Sequence, residues 1–259
     1  MSKLNYGLFL ITGFLPCMMA VISMIEINAL EIKLTDMTSK YNSLTQIGLK
    51  LDQQIEPEQA KLHIDVLRMK NQMETYNVLI DHQQHRLARI SKVRDIIKKT
   101  ISMHNTNDDN HIELSREDIY KMASAIVDYS DLYDIPTNLM LGLLRQESAF
   151  DPNAVSSTGA FGLAQILPST GKHISKHLNV KTYDLSDIQD NIHFGAYYIS
   201  KMLDRYKDNP KLALQSYLAG EANVDKFIRG EIKEVPYDAE NYSKSVMHYA
   251  EKYAELGIH

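Results

Sequence analysis

Tryptophan is absent from the 259 residues, and cysteine occurs once, at Cys17. A single thiol can form neither a disulfide within the chain nor a cysteine-based metal site. Without indole rings, an aromatic face offered to a ligand falls to the 15 tyrosines. An excess of positive charge is also missing, since the net charge is −5 and the sequence pI is near 6.1. That leaves no basic footprint to attract phosphate, so nucleic acid is disfavoured as a partner. What the chain does have is apolar mass: 44% hydrophobic residues against 24% charged ones, enough for a buried core in one or two domains.

Charge is missing altogether from Gly7 to Ile25, GLFLITGFLPCMMAVISMI. A helix needs roughly 20 apolar residues to cross a bilayer, and this stretch is long enough. Lys3 precedes it and Glu26 and Glu31 follow, which by the positive-inside rule leaves the N-terminus in the cytoplasm and everything beyond on the outer side. Residues 1–28 are therefore expected to form a single-pass inner-membrane anchor, the alternative being a secretory signal removed near Ala29. The Leu15-Pro16-Cys17 stretch does not favour lipid attachment, because proline stands where a small residue is wanted and apolar sequence continues past it.

A heptad pattern follows. Leu30, Leu34, Met37, Tyr41, Leu44, Gly48, Leu51 and Ile55 alternate spacings of four and three. After Glu56-Pro57 the same alternation resumes from Leu62 through Val66, Met69, Met73, Tyr76 and Ile80 to Ile97 and Ile101, interrupted only by Gln83 and Arg94. The pattern predicts a coiled-coil stalk over 29–103, either folded back around Pro57 or assembled into a parallel homo-oligomer, since both bury the same stripe. His82 and His85 are expected on its solvated face. HNTNDDNH, at 104–111, is polar and aperiodic, and a linker is expected over 104–112.

From residue 113 to 259 the texture is that of a compact helical domain. Ser115 and Asp118 have capping-box spacing, and Ile119, Met122, Ala123, Ile126 and Val127 form one face behind them. Pro136 suits the start of the next helix, PTNLMLGLLRQES. Glu147 lies four residues beyond Leu143 on nearly the same face. A carboxyl drawn toward the core keeps its proton at higher pH and can donate it. Helix geometry alone leaves open a plainer reading, in which Glu147 pairs with Arg145 or another cation.

The segment LLRQESAFDPNAVSSTGAFGLAQILPST resembles the signature of soluble-lytic-transglycosylase-type domains, with its E-S pair, A-V-S, G-A-x-G-L-x-Q and P-x-T in order and spacing. DNIHFGAYYISKML resembles that family's N-x-x-x-G-x-x-Y-L helix, LALQSYLAGEANV its A-Y-N-A-G segment and YDAENYSKSV its closing E-T-x-x-Y motif. The resemblance implies a mainly α-helical, lysozyme-like catalytic domain that cleaves peptidoglycan glycan strands, behind the membrane helix and the stalk. It further implies that Glu147 is the single catalytic acid, later a base, and that no cofactor or metal takes part. The N-acetyl oxygen and 6-hydroxyl of the muramyl residue would replace a second carboxylate and give a 1,6-anhydro product.

Ser156 and Gln165 match positions implied to bind the N-acetyl group or sugar hydroxyls, Tyr217 the tyrosine opposite the acid, and Asp238 the closing Glu, one methylene shorter. Ser156 could instead cap its own loop, and Tyr217 could serve packing alone. Asp151 is read as a loop-forming Asp-Pro element. Two further departures are Ala164 for the usual Met and Leu218 for the Asn of A-Y-N-A-G, which removes an amide rich in hydrogen bonds. His173 and His177 are four apart, with no third ligand evident. A periplasmic head on an inner-membrane tether would suit local wall opening for a secretion or conjugation apparatus. Two rivals remain at this level: an inactive glycan-binding scaffold, kept open by Leu218, and a hydrolase using water, as goose-type lysozymes do.

Overall fold

The computed structural model describes residues 15–50, 56–107, 111–207 and 209–258. These form nine helices: α1 (Leu15–Lys50), α2 (Glu56–Asn107), α3 (Arg116–Leu132), α4 (Thr137–Ser148), α5 (Pro168–His177), α6 (Ile188–Arg205), α7 (Pro210–Ala219), α8 (Glu221–Ile228) and α9 (Ala239–Glu255). Extended pairing among the described residues is limited to the bridges Val155–Phe161 and Phe161–Ile166. The mainly α expectation holds. Residues 1–14 of the expected anchor lie outside the described residues and 15–28 begin α1; none of the described helices is long and apolar enough to cross a membrane.

The chain divides into two compact units, Met1–Ala88 and Arg89–His259. In the first, the heptad stripe is the less exposed face of each helix. Leu30, Leu34, Met37, Tyr41 and Leu44 are partly buried, whereas Ile32, off the stripe, is 70% exposed. On α2, Val66, Met69, Met73 and Tyr76 are likewise partly buried and Ile80 is buried, while Val78 stands exposed between them.

Helix α2 does not stop where the stalk was expected to end. Ile90, Val93, Ile96, Ile97 and Ile101 belong to the core of the second unit, with Val93 and Ile97 completely enclosed. Residues 89–103 thus build the head, and the first part of the expected linker is helical to Asn107. The heptad period runs through this change without a break, so periodicity could not mark it. Polar contacts fix the docking. Arg89 donates to both carboxylate oxygens of Asp131 at 2.7 and 2.9 Å and to Thr137 Oγ1 at 2.6 Å. Past the helix end, the Asn105 amide exchanges two hydrogen bonds with the backbone of Ile112.

In the second unit α4 packs on α9, α9 on α7, α3 on α6, and α6 on α7. The Ser115–Asp118 capping box starts α3 with both reciprocal bonds made. Leu139, Leu143 and Leu144 of α4 face the core, the last two with no exposure at all. That inward stripe leads directly to Glu147.

Candidate active site

Helix α4 ends at Ser148 because Ala149 (φ 54°) and Phe150 (φ 68°) both adopt left-handed backbone. Non-glycine residues take this region at a cost of about 1–3 kcal/mol each and hold it only where surroundings enforce it. Here the fully buried Phe150 ring anchors the reversal. The following loop crosses back past the acid. Gly162 (φ +71°) is required in it, since a Cβ there would come 2.5 Å from Asn191 Nδ2.

Asn191, buried in the first turn of α6, holds this loop. Its Oδ1 accepts from Ala164 N at 2.7 Å, and its Nδ2 donates to Phe161 O at 2.9 Å and Leu185 O at 2.8 Å. One turn on, Gly195 lets α6 approach so closely that an added Cβ would lie 2.5 Å from the Cβ of Ala164. The small residue at 164 thus fits against the glycine opposite.

The outcome is a cleft of about 420 Å³ lined by Glu147, Ser156, Gln165, Tyr198, Tyr217 and Leu218, among others. Burial pushes the Glu147 carboxyl up from 4.5 to about 7, against the opposing effect of a hydrogen bond donated by the Tyr242 hydroxyl to its Oε1. Arg145 does not pair with it. Its guanidinium donates to Thr100 Oγ1 at 3.0 Å and lies 4.4 Å over the ring of Tyr249. Glu147 is therefore a proton holder poised near neutrality. It is also the sole carboxylate among the described residues lining the cleft.

Three of the four expected binding residues join it. Ser156 lines the cleft and also orders the loop, its hydroxyl accepting from Ala160 N at 2.9 Å and bonding Thr158 Oγ1 at 2.9 Å. Gln165 (φ 49°) spends its Nε2 on Gly162 O at 2.8 Å and Ala154 O at 3.1 Å, which pins the loop beneath its own side chain. Tyr217 donates to Ala164 O at 2.7 Å. Burial, and then the charge of Glu147, hold its hydroxyl well above the usual tyrosine range, so it stays protonated. Leu218, 37% exposed, presents an apolar wall where the family pattern has an amide.

Asp238 goes elsewhere. It caps α9 in left-handed backbone (φ 54°), accepts from Asn241 Nδ2 at 2.8 Å, and lines a different pocket with Gln215, Tyr237 and Glu240. The residue from the same motif that does reach the acid is Tyr242, four positions on, and sequence reasoning passed it over. Tyr198, stacked obliquely 5.2 Å from Tyr217, was also missed, although both lay within quoted motifs. Asp151 orders its own turn by accepting from Asn153 N at 2.9 Å. His173 and His177 touch ring to ring at 4.2 Å, and among the described residues no group of three potential ligands is placed to hold a metal.

Comparison with known proteins finds a family match over part of the chain. Residues 124–236 match the family described as the transglycosylase SLT domain. The soluble lytic murein transglycosylase of Escherichia coli (strain K12) is 28% identical over 142 residues, covering 47% of this chain and 22% of that protein. The transglycosylase of Enterobacteria phage PRD1 is 34% identical over 88 residues, covering 34% of this chain and 31% of that protein. Among solved structures, the lytic transglycosylase Slt of Pseudomonas aeruginosa, an inactive mutant, superposes with a TM-score of 0.51 at 22% identity, over 73% of this chain and 34% of that one. At that identity the likeness is one of fold. The chain spans about a fifth to about a third of the length of these relatives.

Proposed function

We propose that this chain, whose residues 124–236 match the transglycosylase SLT domain family, is a peptidoglycan lytic transglycosylase, cutting the β-1,4 bond between N-acetylmuramyl and N-acetylglucosaminyl residues. The observation that carries this reading is the single cleft carboxyl at Glu147, raised to about 7 by burial. Most glycosidases set a second carboxylate across the scissile bond as nucleophile or water-activating base. A cleft with one acid suits a substrate that supplies its own nucleophiles.

The protonated Glu147 gives its proton to the glycosidic oxygen as the C1–O bond breaks. The N-acetyl carbonyl oxygen of the muramyl residue captures C1. Glu147, now a carboxylate beside the Tyr242 hydroxyl, then takes the proton of the 6-hydroxyl. O6 attacks C1 and displaces the acetamido oxygen, closing a 1,6-anhydro ring without consuming water. Tyr217, Ser156 and Gln165 shape the cleft around the muramyl residue.

The proposal places the head in the bacterial periplasm, tethered to the inner membrane through residues 1–28 and spaced from it by the heptad segment. The uncharged run 7–25 and the heptads support this placement. Such a tether confines cutting to one spot and suits a secretion or conjugation apparatus that must cross the wall.

Leu218 favours one rival, a scaffold that binds glycan without cutting it, because the cleft wall there lacks an amide. Mass spectrometry of products from purified peptidoglycan separates the readings. Muropeptides lighter than their reducing counterparts by one water, absent with Glu147→Gln, are the expected result. Reducing ends would point to a hydrolase, and retention of strands without release to the scaffold.

A further inference from the structure

The acid expected in the cleft lines a second pocket, and that pocket has the composition of a saccharide site. It measures about 470 Å³, and its lining includes Gln215, Phe227, Lys233, Glu234, Tyr237, Asp238 and Glu240. It lies on the other side of α7 from the cleft: Tyr217 faces one way, and Gln215, two residues earlier, faces the other. It is also one turn of α9 from the tyrosine that grips Glu147.

Three observations converge on a ligand. Tyr237 is 71% exposed and Phe227 38% exposed, so two aromatic faces border the pocket in a chain that has no tryptophan. Aromatic faces stack on the apolar faces of sugar rings, while their edges remain free for polar contacts. Glu234 and Asp238 are exposed and line the same pocket, and as charged acceptors their carboxylates form strong hydrogen bonds to hydroxyl donors. Finally, Gln215 is 97% buried by its 3% exposure, yet only its amide nitrogen is used, donating to Glu240 Oε2 at 2.9 Å. That bond fixes which way the amide points, and it leaves Oε1 buried without a donor among the described residues. A buried acceptor left unmade is costly, and this one is closed to solvent, so an O–H or N–H in the pocket meets it only after a small shift of the lining.

We propose that this pocket is a second saccharide-binding site, which holds an N-acetylated amino sugar of a glycan strand outside the cleft, stacked on Tyr237 and hydrogen-bonded through Asp238 and Glu234. The ligand class follows from the lining: aromatic faces beside the acceptors Glu234 and Asp238 and the donor Lys233 take polyhydroxylated rings that also carry an amide N–H. The inference rests on the glycan-cutting reading above. Its consequence is that the head grips the strand at a point separate from the bond it cuts, so that it stays on the wall between cuts.

Isothermal titration of the full chain carrying Glu147→Gln with tetra-N-acetylchitotetraose tests this. The expected result is two sites per chain, falling to one when Tyr237→Ala is added and to one when Asp238→Asn is added instead. Both side chains are exposed, and the second substitution keeps size and shape should the first unsettle the turn. One site in the parent, unchanged by either substitution, overturns the second site while leaving the cleft reading intact. No site at all, together with no product from the wild-type chain on peptidoglycan, overturns both.

Discussion

Replacing Glu147 with glutamine should stabilise the fold, and only at higher pH. In the unfolded chain this carboxyl ionises near 4.5, whereas burial holds it at about 7 in the fold. Below pH 4.5 both states keep the proton and nothing is lost. Between the two values the unfolded chain releases its proton while the fold retains it, so the stability present at low pH is lost as pH rises through 7. The gap from 4.5 to about 7, at about 1.4 kcal/mol per pH unit, corresponds to about 3 kcal/mol. Glutamine is neutral throughout, and its side-chain oxygen still accepts from Tyr242. Wild type and Glu147→Gln should therefore differ little at pH 4, and the variant should be about 3 kcal/mol more stable at pH 8. Urea unfolding followed by near-ultraviolet circular dichroism reads this, because 12 of the 15 tyrosines lie from Tyr120 onward and report the head. A stability difference that is the same at both pH values would refute the claim that burial controls this carboxyl.

Tyr242→Phe removes the one hydrogen bond that opposes burial at Glu147. The alkaline limb of kcat/KM, set by loss of the acid's proton, should then move up by about one pH unit; a limb that stays put or moves down contradicts the assignment. Gly195→Ala forces a Cβ to within 2.5 Å of Ala164 Cβ, where neither neighbour can rotate away. Despite alanine's better helix propensity, it should lower stability by about 1–3 kcal/mol and depress cleavage by displacing the loop. Unchanged thermal unfolding and turnover would show that the loop tolerates the shift.

The sequence carried the site further than it carried the boundaries. Leu143 and Glu147 shared a helical face on spacing alone, and the structure adds the desolvation that spacing implied. Ser115 and Asp118 made their reciprocal cap as read. The head's start was missed because Ile90, Ile97 and Ile101 continue the heptad of Ile80, and a stripe is the same whether it faces another helix or a core. Asp238 stands outside the cleft lining for a different reason. Its motif fixes a position along the chain, but the backbone there is left-handed at Tyr237 (φ 66°) and Asp238 (φ 54°), and Asp238 lines a pocket other than the one that holds the acid. Tyr242 could not be weighed either, since its partner lies 95 residues away and the contact exists only once α9 lies on α4.

Arg145 stands two residues before the acid and hydrogen-bonds Thr100 of α2, the helix that leaves the head as the heptad segment. The seat of Glu147 and the root of that segment are therefore coupled through one bond and one shared core. Such coupling is reciprocal in free energy. Fraying of residues 89–101 would therefore loosen the helix that carries the acid, and a ligand that tightens the cleft would steady those residues in return.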